Sequence, residues 1–147
     1  MGDLGAFAAL VPLDHGLVVV STARDDGSVQ SSVVNAGVID HRVTKQGVVA
    51  FVSGGSSRRL TNLRARPWAT VVIRAGWQWA AVEGAVELAG PDDPLEGIDG
   101  EGLRLLLRNI FAAAGGTHDD WDKYDRVMSS ERRVAVLVHA ERTYGNS

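Results

Sequence analysis

The segment Ser53-Gly-Gly-Ser-Ser-Arg-Arg-Leu-Thr-Asn-Leu63 concentrates residue types that do chemistry. An apolar run from Val48 to Val52 stops at two glycines and two serines, Arg58 and Arg59 follow, and a short helical stretch ends before Pro67. Two fixed positive charges at a helix start are unfavourable, because the backbone there is already electropositive. A bound anion removes the conflict. On that reading the freed N–H groups, the hydroxyls of Ser56 and Ser57 and two guanidiniums converge on a phosphate. On the other reading the segment is a solvated basic face behind a serine N-cap. The spacing is not that of a Walker loop, and no Gly-x-Gly-x-x-Gly follows a strand.

A second candidate is Gly-Trp-Gln-Trp-Ala-Ala-Val-Glu-Gly, residues 76 to 84. Trp77 and Trp79 alternate with Gln78, which predicts both on one face of a strand. They would stack on a flat ring, pack against another subunit, or fill the core. Glu83 reads as an outward strand residue. His118, Asp119, Asp120 and Asp122 form an acidic cluster. Its spacing matches neither His-Glu-x-x-His nor a calcium loop, so no metal site is assigned and the acids read as complements to a helix dipole. His15, His41 and His139 are scattered and read as structural. No Gly-x-Ser-x-Gly elbow is present, so hydrolase chemistry lacks support.

The elements that must position these residues follow from hydrophobic period and turn signals. Leu17 to Thr22 and Val29 to Ile39 read as a hairpin around Asp26-Gly27. Gly47 to Val52 is a third strand, residues 56 to 66 a short helix, and two further strands flank Ala75-Gly76. Leu103, Leu106, Leu107, Ile110 and Phe111 make one apolar helical stripe, with Gly115-Gly116 as its C-cap. A second helix carries Trp121, Tyr124 and Met128, and one alternating strand closes the chain near Tyr144. Six mainly hairpin-linked strands with flanking helices predict an antiparallel barrel, not a doubly wound parallel sheet.

Residues 1–147 have the length of a single domain. The absence of cysteine excludes disulfides, thiolate zinc sites and a cysteine nucleophile, and fits a reducing cytoplasm. No apolar run approaches a membrane span, and the N-terminus lacks the basic start of a signal peptide. Fifteen Lys and Arg against 18 Asp and Glu leave a net charge of −3, which suits nucleic-acid binding poorly. Yet Arg58, Arg59, Arg64 and Arg66 make one locally positive stretch.

The stretches 51–73, 76–88 and 118–146 resemble, in order, the coenzyme F420-dependent members of the pyridoxamine 5′-phosphate oxidase-like superfamily, which also contains FMN-binding oxidases. The resemblance runs from about Leu17 to Tyr144. It implies a six-stranded split β-barrel, paired as a homodimer, with the cofactor in a groove at the interface. In the FMN-binding relatives a Ser-Arg-Lys run grips the cofactor phosphate; Ser57, Arg58 and Arg59 occupy that run here. Arginine replaces the usual lysine at Arg59, which keeps the charge but changes the donor geometry. The resemblance further implies that Asn62 lies one turn along the same helix, that the strand holding Ser32, Val34 and Asn35 contacts the ring system, that Ser53 edges the groove, and that Trp77 and Trp79 reach across the interface. The oligoglutamate tail of F420 would run toward Arg64 or Arg66. The implied function is an F420-dependent reductase that moves hydride between the deazaflavin and an unsaturated small molecule, with no indispensable catalytic side chain. The alternatives are an FMN-binding oxidoreductase of the same fold and a non-catalytic carrier of F420 or haem.

Overall fold

The computed structural model describes residues 3–146. Helix α1 (Gly5–Leu10) and a 3-10 turn (Val11–Leu13) precede the strands. The strands are β1 (Leu17–Ala23), β2 (Val29–Asp40), β3 (Gly47–Ser53), β4 (Trp68–Ala75), β5 (Gln78–Ala89), β6 (Val134–His139) and β7 (Arg142–Gly145). Helix α2 (Arg58–Ala65) follows β3, while α3 (Gly100–Ala113) and α4 (Trp121–Ser130) lie between β5 and β6. Neighbouring strands run β4-β1-β2-β3-β6-β5, and β4 pairs with β5 to close a six-stranded antiparallel barrel; β7 adds to β5 outside that ring.

Local chemistry explains the turns. Gly27 adopts φ +85°, and the Asp26 carboxylate accepts from the Ser28 N–H and hydroxyl, closing the β1–β2 hairpin. Asp99 caps α3 by accepting from the Gly102 N–H. At its other end Gly115 takes φ +94°, and the Gly116 N–H reaches the Phe111 carbonyl, so the double glycine ends the helix as predicted.

The two 12-residue strands change partners midway. β2 pairs with β1 over Val29 to Asn35 and with β3 over Ala36 to Asp40. β5 pairs with β4 up to Ala85 and with β6 from Val86 to Ala89. Each switch splits the barrel wall. On β5 the vacated edge is filled by β7, which pairs with Ala80 to Glu83. A side chain at Gly84 would put Cβ 2.0 Å from the His139 carbonyl, so the chain can pass from β6 to β7 only over a glycine. On β2, among the described residues, no strand covers residues 29 to 35 beyond β1.

The core has two parts. The barrel interior is lined by residues including Phe7, Val20, Phe51, Leu60, Leu63 and Val82, with α2 closing one end. The outer face of the β3–β6 sheet is covered by α3 and α4 through Leu106, Leu107, Ile110 and Tyr124. Leu60 and Leu63, the predicted apolar face of the short helix, are both buried.

Two sequence expectations need correction, and one element was not expected. The single closing strand is two, because the chain bends at Ala140-Glu141 to meet β5. Trp77 is not on a strand: β5 starts at Gln78, and Trp77 stands in the turn after Gly76 (φ +62°). It is 94% exposed, so it is not a core residue. Helix α1, which covers one end of the barrel through Phe7 and Leu10, was not predicted, because six residues are too few to show a period.

Candidate functional site

The uncovered edge of β2 is where the predicted residues gather. β3 leaves the sheet at Ser53, and the chain turns through Gly54 and Gly55 into α2. Gly55 lies against the turn after α4, where a Cβ would be 2.6 Å from the Arg132 carbonyl, so this loop tolerates no side chain at that point. Ser57 caps α2, its hydroxyl accepting from the Leu60 N–H at 3.3 Å. The N–H groups of Gly54, Gly55 and Ser56 have no acceptor among the described residues. They lie in the loop just before α2, whose N-terminus is the positive end of its dipole.

Arg59 crosses the split. Its Nε donates to Ser32 Oγ on β2 at 2.9 Å, and its Nη1 donates to Ser53 Oγ at the end of β3 at 2.6 Å. Ser53 Oγ also lies 2.9 Å from Ser57 Oγ. The guanidinium sits 5.8 Å from the centre of the Phe51 ring. Burial lowers its pKa below the usual arginine value, and the like charge of Arg133 adds to that effect. It stays cationic, since arginine does not deprotonate in proteins.

Arg58 is exposed and faces a polar cavity of about 410 Å³ between α2 and the β1–β2 hairpin, with Ser56, Thr61, Gln30 and Arg24 around it. Asp25 and Asp26 line the same cavity. Among the described residues neither Arg58 nor Arg59 has a carboxylate within ion-pair distance. Arg64 and Arg66 differ: Arg64 makes a two-pronged pair with Asp93, and Arg66 bonds Asp25 and the Ala23 carbonyl. The expected path for an anionic tail over Arg64 or Arg66 therefore meets arginines already neutralised within the chain.

The other predicted residues fall in two groups. Ser32 and Val34 are half-buried and face the split side of β2, whereas Asn35 points outward and donates to the His15 carbonyl at 2.7 Å. Asn62 is buried, its amide donating to Thr22 Oγ1 at 3.0 Å and Gln30 Oε1 at 2.9 Å, so it braces α2 against the hairpin and only its carbonyl oxygen remains for a ligand. Trp77 and Trp79 stand at the β4–β5 hairpin, at the opposite end of β4 from Trp68 and α2. Trp79 packs edge-on against Tyr144, their ring centres 6.1 Å apart.

The outer face of the β2-β1-β4 sheet exposes a row of apolar side chains. Val19 on β1 is directly opposite Val33 on β2, and the two are 41% and 64% exposed. Trp68, Trp77 and Tyr144 extend exposed apolar surface along β4, its hairpin and β7. Sequence alternation alone had not singled out this row.

Sequence reading also missed two polar clusters. Glu83 on β5 accepts from Thr70, Arg142 and Tyr144. Glu87 accepts from both His41 and His139, whose rings stack 6.0 Å apart. His41 Nδ1 accepts the N–H groups of Val43 and Thr44, so its proton sits on Nε2 and points at Glu87. With the Nδ1 lone pair taken by those two N–H groups and Nε2 donating to Glu87, the ring has no lone pair left for a metal. His118 is an acceptor for the Asp120 N–H and packs among Phe111, Trp121 and Tyr124, while Asp120 caps α4 as the dipole argument expected. Among the described residues no group of His, Asp and Glu is arranged to hold a metal, and no helix is long and apolar enough to cross a membrane.

No protein-family model matches the sequence. Among solved structures, the chain is similar to a pyridoxamine 5′-phosphate oxidase-related, FMN-binding protein from Nostoc punctiforme, at 10% identity over 99% of this chain and 84% of that one, with a TM-score of 0.68. It is similar to an F420 reductase at 15% identity over 92% of this chain and 94% of that one, with a TM-score of 0.62. A conserved hypothetical protein of Mycobacterium tuberculosis matches at 19% identity over 99% of this chain and 84% of that one, with a TM-score of 0.69. At these identities the likeness lies in the backbone path, and it agrees with the strand order described above: the chain carries the split-barrel fold of the pyridoxamine 5′-phosphate oxidase-like proteins.

Proposed function

We propose that the protein is a coenzyme F420-dependent reductase that binds the deazaflavin along the open edge of β2. The observation that carries this reading is Arg59: a half-buried cation with no carboxylate partner among the described residues, held across the split by Ser32 and Ser53. A cation kept there costs desolvation that an anionic ligand offsets. The donor set fits a phosphodiester. Three loop N–H groups, the Ser57 hydroxyl, Arg58 and Arg59 surround the start of α2, and the free edge of β2 offers backbone groups to a flat heteroaromatic ring.

When bound, a deazaflavin supplies the hydride-transfer chemistry at its ring. The chain's own residues orient it. Arg59 and Ser57 would hold the phosphodiester, while Ser32 and Val34 would face the ring from the split side of β2. In the cavity at Arg58 the tail would meet Arg24 as a second cation, with Asp25 and Asp26 opposing it. No side chain here is assigned a proton-transfer step. A planar acceptor laid over the ring would need its electron-poor carbon at ~3–3.5 Å, so positioning is the protein's main contribution.

A homodimer completes this reading. The exposed row through Val19, Val33 and Trp68 is the surface a second copy would cover, and Trp77 and Trp79 would then reach toward the partner's groove. The absence of cysteine suits work in a reducing cytoplasm.

The FMN-binding neighbour favours one second reading, an FMN oxidoreductase built on the same clamp. Fluorescence titration with F420 and, separately, with FMN decides between them. The proposal expects micromolar or tighter F420 binding with FMN much weaker. The reverse order moves the protein to the flavin branch, and weak binding of both overturns the clamp.

A further inference from the structure

A second cavity, of about 500 Å³, lies between α3 and α4. No residue of the Ser32–Arg59–Ser53 link lines it. Its volume is within the range of small-molecule sites, ~300–1,000 Å³. Leu103 and Leu107 from α3 and Met128 from α4 make its floor apolar, and its rim carries Arg104, Arg126 and Arg133.

The rim charges are not equal. Asp125, the one acid lining the cavity, is held by Arg104 and Arg108 through three hydrogen bonds. Arg104 is further bound by Glu101, and the Arg133 Nε donates to Glu131. Arg126 has no ion-pair partner among the described residues, and the terminal nitrogens of Arg133 are left open by its single bond to Glu131. Gly100, in the first turn of the 14-residue helix α3, lines the same cavity and adds the positive end of a helix dipole. A cationic occupant is repelled by this rim. A neutral apolar one fills the floor but leaves Arg126 uncompensated. An apolar molecule with one negative charge satisfies both parts.

We infer that this cavity is a binding site for a small apolar monocarboxylate, its hydrocarbon body against Leu103, Leu107 and Met128 and its carboxylate at Arg126 and Arg133. None of its lining residues belongs to the Ser32–Arg59–Ser53 link, although the charge of Arg133 reaches Arg59.

Calorimetric titration of the 147-residue chain with decanoate tests this, with decanol and decyltrimethylammonium as controls. The expected result is submillimolar decanoate binding at one site, with decanol weaker by about tenfold, the scale of a lost charge-assisted contact. Arg126 is exposed, so Arg126→Ala should keep its thermal midpoint and lose about fivefold or more in decanoate affinity. Leu103→Trp, at a half-buried position, should block the site sterically. Arg59→Ala, assayed below its own thermal midpoint, should still bind decanoate, with a smaller change in affinity than Arg126→Ala, since Arg59 does not line the cavity and acts on it only through the charge of Arg133. Equal affinity for decanoate and decanol, no effect of Arg126→Ala, or loss of binding in Arg59→Ala would each overturn the proposal. The last outcome would place decanoate in the split instead.

Discussion

Ser32 and Ser53 lie on strands that have parted company, yet a single guanidinium joins their hydroxyls: Arg59 donates to one at 2.9 Å and to the other at 2.6 Å. The link spans the place where β2 has lost β3 as a neighbour. A lysine there would carry the charge but not the planar fork that reaches two acceptors from fixed angles. The arginine therefore does two things at once. It ties the lips of the split, and it holds a positive charge where the loop N–H groups already favour an anion.

Arg59→Ala should weaken binding of F420 by about 1.5–3 kcal/mol and also lower the thermal midpoint, because two serine hydroxyls lose their donor. Arg58→Ala should weaken binding on the same scale with an unchanged midpoint, since Arg58 is exposed and its side chain bonds nothing among the described residues. Titration and thermal melts of both variants separate the two roles. Full retention of affinity in both would remove the anion clamp.

Asn62→Leu should cost about 1–3 kcal/mol of stability in urea unfolding, because Thr22 and Gln30 both lose a buried donor. Cofactor affinity should change less than in Arg59→Ala. A larger effect on binding than on unfolding would show that the Asn62 carbonyl oxygen is a ligand contact after all.

Sedimentation should give a mass near twice 15.6 kDa for the parent protein and near 15.6 kDa for Val33→Asp. Val33 is opposite Val19 in the middle of the exposed row, so a carboxylate there is left desolvated if a second copy covers it. The monomeric variant should bind cofactor poorly, as one wall of the groove is then missing. A dimeric Val33→Asp would move the interface elsewhere.

Glu87→Ala should destabilise the fold by about 1–3 kcal/mol while leaving cofactor affinity intact, because the buried His41 Nε2–H loses its acceptor. Glu87→Gln, which keeps an acceptor oxygen, should recover part of the loss. Urea unfolding of the two variants checks the order.

Asp125 supplies a dependence on pH. The hydrogen bond from Arg108 holds its carboxyl below the usual aspartate range; desolvation, the next largest effect, opposes it, and Arg104 adds to the lowering. A depressed folded pKa means that its contribution is present above the unfolded pKa and is lost as pH falls through the folded value. Stability should therefore drop on the acid side of the ordinary carboxylate range, and Asp125→Asn should be less stable at neutral pH with a shallower acid limb. Thermal melts across pH read both.

Much of the frame was legible along the chain. Asp26-Gly27 and Ala75-Gly76 marked their hairpins because glycine alone reaches positive φ cheaply, and the Leu103-to-Phe111 stripe marked α3 because its period is long enough to count. Arg58 and Arg59 stood out because cations oppose a helix start. The bend between β6 and β7 carried no such mark: alternation continues across it, and what turns the strand is the need to follow β5 past Gly84. The shared carboxylate of His41 and His139 was equally hidden, its members being 46 and 52 positions apart from Glu87.

The sequence by itself determined the elements, their hairpin order and the charge conflict at the start of α2, since each depends on residues within a turn or two of one another. Only the tertiary structure decided which arginine faces the split, which ones are neutralised by distant acids, and that Trp77 is a solvent-facing turn residue. Those outcomes depend on where β2 and β5 exchange partners. Register between strands far apart in the chain is set by the packing of the whole barrel, which no local window contains.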